Sequence, residues 1–107
     1  MTESRSALIV DDERDIRELL VMTLGRMGLR CDTASTVADA RQQLAANRYD
    51  LCLTDMRLPD GSGLELIAEI SQNHPNTPVA MITAFGNVDA AVEAVRALDR
   101  VNPHAER

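Results

Sequence analysis

Short apolar runs alternate along the chain with longer segments in which apolar residues recur at helical spacing, and no internal repeat or low-complexity linker interrupts them. That alternation predicts βαβ units and a parallel sheet. Residues 7–10 are a short apolar run ending in Asp11-Asp12-Glu13, the pattern of a buried parallel strand that stops in a cluster of carboxylates. Over 14–27, Ile16, Leu19, Leu20, Thr23, Leu24 and Met27 follow the i, i+3, i+4, i+7 rule, and Gly25 and Gly28 stand where the helix would end. Residues 29–33 predict a weaker, partly polar strand near a sheet edge. Ser35 or Thr36 then supplies a cap for a second helix to about residue 46, with Val37, Ala40 and Leu44 as its buried face. Residues 49–54 predict the next buried strand, closing on Asp55.

Residues 56–63 read as a loop, Met-Arg-Leu-Pro-Asp-Gly-Ser-Gly, in which Pro59 fixes φ and the glycines allow positive φ. A third helix follows, with Leu64, Leu66, Ile67 and Ile70 as its apolar stripe, and residues 74–78 end it in a turn. Residues 79–83 predict a fourth strand closing on Thr83, and residues 88 to about 98 a fourth helix with Val88, Ala91, Val92, Val95 and Leu98 on one face. The last nine residues, 99–107, hold no apolar run for a further buried strand.

At 107 residues with 45% hydrophobic and 26% charged side chains, the composition is that of one soluble globular domain, expected over 1–107. The core must be aliphatic, because Tyr49 and Phe85 are the only aromatic residues, and base stacking is thereby disfavoured. Seventeen acids against eleven bases give a net charge of −6, which disfavours nucleic acid and suits divalent cations or basic protein surfaces. All eleven bases are arginine, and the chain has no lysine. Cys31 and Cys52 are too few for a disulfide scaffold, so a reducing cytoplasm is the expected setting, with Cys52 in the core. No apolar run approaches the roughly 18 residues of a membrane span. Met22, Met27 and Met81 read as core fillers, and His74 and His104 as solvated loop residues.

In an open parallel sheet ligands bind beyond the carboxyl ends of the strands, and Asp11, Asp12, Asp55 and Thr83 all fall there. Acids at βα junctions are ordinarily caps. Three carboxylates converging on one rim, however, raise one another's pKa unless a cation offsets them. Oxygen ligands from carboxylates, a carbonyl and water describe Mg²⁺, which shares phosphate oxygens readily. A carboxylate held beside it, Asp55, can act as nucleophile and form an aspartyl phosphate, with Thr83 donating a hydrogen bond to the transferred group.

Residues 7–13 (ALIVDDE), 50–64 (DLCLTDMRLPDGSGL) and 78–86 (PVAMITAFG) carry a specific resemblance in order and spacing. Through them the chain resembles the receiver domain of bacterial two-component response regulators, over about residues 6–97. Within that family it is most similar to the nitrogen-regulatory class that activates sigma-54 promoters, and there to regulators of type IV pili. The resemblance implies a flavodoxin-like (CheY-like) doubly wound α/β sheet of order 2-1-3-4, and a cytoplasmic phosphoacceptor rather than an enzyme. A sensor histidine kinase would phosphorylate Asp55 and dock near the first helix, where Arg17 or Leu20 could contribute. Asp12, Asp55 and the backbone carbonyl of Arg57 would ligate Mg²⁺, with Asp11 acting largely through metal-bound water. Thr83 would bind a phosphoryl oxygen, Ala84 would leave it accessible, and Arg57 and Phe85 would tune hydrolysis.

The likeness fades after about residue 97. The family's fifth strand, its lysine-proline end and its fifth helix are not recognisable, and Ala105 stands where the lysine is expected. An arginine fork does not replace a compact ammonium without rearrangement, so the phosphoryl group would lack one usual cation. The strand 79–83 would then be an exposed hydrophobic edge, from which we expect self-association. Membrane association and direct nucleic-acid binding are not expected. An aspartyl-phosphate phosphatase wants a second Asp two residues after the nucleophile, where Arg57 stands. A phosphorylation-independent interaction module and a fragment of a longer regulator both stay open.

Overall fold

The computed structural model describes residues 5–82 and 87–101. The chain runs β1 (Arg5–Val10), α1 (Arg14–Arg26), β2 (Leu29–Ala34), α2 (Val37–Ala46), β3 (Leu51–Asp55), β4 (Arg57–Leu58), β5 (Gly61–Ser62), α3 (Gly63–Asn73), β6 (Val79–Ile82) and α4 (Asn87–Val101). β1, β2, β3 and β6 form one all-parallel sheet in the order β2-β1-β3-β6. Counting only these four strands, the order is the expected 2-1-3-4 of a flavodoxin-like doubly wound sheet. Thr83, Ala84 and Phe85, like His104 and Ala105 of the tail, lie outside the described residues.

Over residues 7–10 β1 is uninterruptedly apolar because both of its faces are covered. Successive side chains point to opposite sides of a strand. Ala7 and Ile9 pack with Leu20 and Leu24 of α1 and Val95 of α4, while Leu8 and Val10 pack with Val37 of α2 and Leu66 and Ile70 of α3. Each buried Val, Leu or Ile among these contributes roughly 1.5–3 kcal/mol before conformational entropy is counted. β2 takes one edge of the sheet, as its partly polar sequence predicts, and β6 takes the other. Among the described residues no helix is long and apolar enough to cross a membrane.

Several helix ends follow local chemistry, and one is held from a distance. Gly28 adopts φ 92° just beyond α1, a conformation that favours glycine, whereas Gly25 sits inside the helix. Thr36 caps α2 by accepting from the Asp39 amide at 3.0 Å. The first two amides of that helix are capped from far away. Val37 and Ala38 donate to Asp60 at 2.7 and 2.9 Å across more than twenty residues of sequence.

Several expectations from spacing need correction. Residues 56–63 are not plain loop: β4 and β5 pair antiparallel, Arg57 with Ser62 and Leu58 with Gly61, and Leu58 is buried between α2 and α3. Leu64 is 61% exposed, because the close seat of Gly63 on β3 turns Leu66 and Ile70 inward instead. Leu19, Met22 and Met27 are also exposed, so these two methionines are not core fillers, and Met81 is half-buried. α1 buries only the narrower stripe of Leu20 and Leu24, flanked by Ile16 and Val21, since a helix laid on a sheet covers one line of residues. His74 caps α3 and is half-buried.

The segment entering β3 is held by polar contacts. Asp50 donates its amide to the Ser6 carbonyl at 2.9 Å and accepts the Ser6 amide on its carboxylate at 2.8 Å. The buried Thr77 hydroxyl donates to the Tyr49 carbonyl at 3.0 Å. Tyr49 itself is fully buried and donates its hydroxyl to Asp32 on β2 at 2.7 Å. Burial first, and the Asp32 carboxylate second, push its phenol up to about 12. The neutral phenol is therefore favoured by folding. Its contribution is whole below the unfolded value of about 10 and is lost as pH rises from there to about 12. Because Tyr49 is the sole tyrosine and tryptophan is absent, phenolate absorbance reports it alone. We expect an alkaline midpoint near 12 that coincides with loss of circular dichroism; a midpoint near 10 in folded protein would contradict the buried Tyr49–Asp32 contact.

Candidate functional site

β1 and β3 are adjacent and in register, with Val10 opposite Thr54. Asp11, which follows β1, and Asp55, which closes β3, therefore stand side by side at the carboxyl end of the sheet. β1 connects through α1 to β2 on one side, and the chain then crosses to β3 on the other, so this is the point where strand order reverses.

Asp11, Asp12 and Asp55 each offer a carboxylate oxygen, and these lie within 4.8 Å of one another. Asp11 is buried, Asp55 half-buried and Asp12 exposed, so the cluster grades from core to solvent. Three contacts hold Asp11. Its amide donates to the Ala34 carbonyl at 3.0 Å, its carbonyl accepts from the Arg17 guanidinium at 2.9 Å, and its carboxylate accepts the Glu13 amide at 2.8 Å. Burial raises its pKa above the ordinary carboxylate value, the Glu13 amide opposes that, and the charges of Asp55, Asp12 and Glu13 raise it further. Arg17, for which the resemblance implied a part in kinase docking, thus supports the site. Arg14 is exposed and pairs with Glu18 at 2.9 Å.

Asp55 is oriented by its own chain. Its Oδ1 accepts the Met56 amide at 2.7 Å, while its backbone carbonyl accepts the hydroxyl of the fully buried Thr54 at 3.0 Å. Gly63 lies against that same carbonyl, where any Cβ would overlap the oxygen, and donates its amide to the Met56 carbonyl at 2.8 Å. Glycine is required there by space rather than by φ. Of the expected site residues, the structure brings together Asp11, Asp12 and Asp55, and it places Arg57 in β4, two residues beyond Asp55, with an exposed side chain. Thr83 follows directly on β6, whose Ile82 pairs with Asp55, but it lies outside the described residues.

Oxygen-only donors of like charge, one of them desolvated, fit a hard divalent cation and offer nothing to a soft metal. The two cysteines stand elsewhere. Cys31 and Cys52 pair with Ala7 and Leu8 of β1, whose side chains face opposite sides of the sheet, and burial raises both thiols, Cys52 to about 12. Spacing alone did not reveal Arg17, Gly63 or Asp60. Only for Gly63 did the sequence carry a signal, the glycine that opens α3 directly after the turn.

The sequence model of the response regulator receiver domain matches residues 7–99. The chain is 62% identical over 93 residues to the response regulator protein PilR of Pseudomonas aeruginosa, covering 87% of this chain and 21% of that protein. It is 41% identical over 86 residues to the DNA-binding transcriptional regulator NtrC of Escherichia coli, covering 80% and 18%. The chain thus spans about a fifth of the length of these relatives. Among solved structures, the response regulator protein TrrA of Thermotoga maritima, in complex with Mg²⁺-BeF, superposes with a TM-score of 0.72 at 34% identity, over 84% of this chain and 80% of that one. Strand order, the acidic cluster at the switch point and a match running through nearly the whole chain converge on one reading: the chain belongs to the response regulator receiver domain family, in the PilR and NtrC group of two-component regulators.

Proposed function

We propose that this chain accepts a phosphoryl group from a histidine kinase onto Asp55, with Mg²⁺ in the acidic cluster, and so switches a transcriptional response of the sigma-54 type related to type IV pili. The observation that carries the proposal is the meeting of Asp11, Asp12 and Asp55 within 4.8 Å at the end of paired strands. The Mg²⁺-BeF complex of TrrA supports it, since that relative holds a phosphoryl mimic with the cation.

Asp12, Asp55 and the Arg57 carbonyl would hold the cation, with Asp11 behind them. When bound, Mg²⁺ supplies positive charge against the phosphoryl oxygens and offsets the crowded carboxylates. Asp55 performs the chemistry. With Oδ1 engaged by the Met56 amide, Oδ2 is the oxygen positioned to attack phosphorus. A P–O bond forms as the P–N bond to the kinase imidazole breaks, and the leaving nitrogen keeps the electron pair and is protonated. Thr83 would donate its hydroxyl to a phosphoryl oxygen. The location consistent with this role is the cytoplasm, where the kinase presents its phosphohistidine.

An amide-correlation NMR spectrum tests the reading. With Mg²⁺ present, beryllofluoride is expected to shift resonances around Asp12, Asp55 and Thr83, and Asp55→Ala or removal of Mg²⁺ by chelation should abolish the response. A dispersed spectrum that does not move would retire the phosphoacceptor role and leave an interaction module.

Self-association through β6 is a second element of the proposal. β6 ends the sheet among the described residues, its Val79, Ala80 and Met81 are half-buried, and an apolar groove of about 280 Å³ runs beside it between Val79, Ala80, Ala94 and Leu98. Unpaired edges of this kind template pairing with another chain. We expect light scattering to show a concentration-dependent dimer or larger species that Met81→Lys converts to monomer. A wild-type monomer at all concentrations, with a sharp thermal transition, would overturn it.

A further inference from the structure

We propose that Asp60 is a positioning residue for the metal site, acting by clamping the β4–β5 hairpin to the N-terminus of α2. The inference rests on the reading that Mg²⁺ binds at Asp12, Asp55 and the Arg57 carbonyl. It goes beyond that reading by naming what holds the carbonyl-bearing segment in place.

Asp55 and Gly63 are the two ends of this segment, and its base is fixed by the Gly63 amide on the Met56 carbonyl at 2.8 Å. From that base β4 and β5 run outward and turn at Pro59-Asp60. At two residues per strand, the hairpin has too little backbone pairing to hold a fixed shape alone. Its tip is held instead by α2. Both Asp60 carboxylate oxygens accept amides there, Oδ1 from Val37 at 2.7 Å and Oδ2 from Ala38 at 2.9 Å. These two amides are among those a helix leaves unpaired at its start, and the helix dipole favours the anion. The Asp60 carboxyl is accordingly held below its ordinary range by the Val37 amide first and the Ala38 amide second. Next to it, Gly61 packs so closely on α2 that a Cβ would stand 3.2 Å from Val37 Cγ2, while Leu58 is buried in the same core as Val37.

Arg57 lies between these two fixed points. Mg²⁺ demands near-octahedral ligands at about 2.1 Å, so a carbonyl that drifts by roughly 0.5 Å is lost as a ligand. A second helix-capping contact at the same end of α2 provides the control. Thr36 accepts the Asp39 amide at 3.0 Å, a hydrogen bond made within α2 and its own cap.

The test is an NMR titration with Mg²⁺ alone on wild type, Asp60→Ala, Asp60→Asn and Thr36→Ala, each first checked for a dispersed spectrum. Wild type is expected to bind with shifts around residues 11–13 and 55–57. Asp60→Ala should weaken Mg²⁺ on the order of 10-fold, as loss of a supporting contact behind a metal ligand does. Asp60→Asn, which keeps one acceptor, should fall between, and it keeps the test decisive if the alanine variant does not fold. Thr36→Ala should lower thermal stability and leave Mg²⁺ affinity within twofold of wild type, a limit of about 0.4 kcal/mol at RT ≈ 0.59 kcal/mol. Unchanged affinity in folded Asp60 variants, or an equal loss in Thr36→Ala, would overturn the positioning role while the metal site stands. If wild type itself binds no Mg²⁺, the metal reading fails and this proposal falls with it.

Discussion

The parallel pairing of β1 with β3 is the constraint on which the site and both cores depend. β1 is bonded on both edges and packed on both faces, so nothing along it can shift without exposing apolar side chains or breaking two ladders at once. A slip of one residue would turn every side chain to the opposite face. The register that places Val10 opposite Thr54 is thus strongly specified by packing. Its by-product is chemical: Asp11 and Asp12 from one strand end and Asp55 from the other emerge at one point, with carboxylate oxygens within 4.8 Å of one another.

That crowding has a cost that the surrounding residues distribute rather than remove. The Glu13 amide and the Met56 amide each engage one carboxylate oxygen, and Arg17 brings a guanidinium to the Asp11 carbonyl. Burial and the neighbouring acids still leave the Asp11 carboxyl above its ordinary range. A rim of this kind suits a hard cation, and phosphate oxygens are the natural counterpart of such an ion. Function in this fold follows from the sheet's rigidity on one side and the electrostatic imbalance it imposes on the other.

Much of this was legible in residue order. The alternation of apolar runs with helical spacing located the four sheet strands and four helices, and Val37, Ala40 and Leu44 form the buried face of α2 as their spacing requires. What spacing misjudged was which line of an amphipathic helix meets the sheet: Leu19, Met22, Met27 and Leu64 are apolar yet exposed. Hydrophobicity at period 3.6 defines a face wider than the contact line, and the crossing of helix over sheet selects the line. The hairpin within 56–63 was equally hidden, because a strand of two residues has no period to detect.

Residue order carried the class of fold, the acids at the ends of β1 and β3, and a cap for α2 at Ser35 or Thr36, since each rests on local periodicity or on residues a few positions apart. Packing in three dimensions was needed to show that Asp60 caps α2 from another segment, that Gly63 must lack a side chain beneath the Asp55 carbonyl, and that Arg17 serves Asp11. These contacts join segments distant along the chain or depend on a backbone already folded back on itself. No periodicity or short motif carries the distance between their partners.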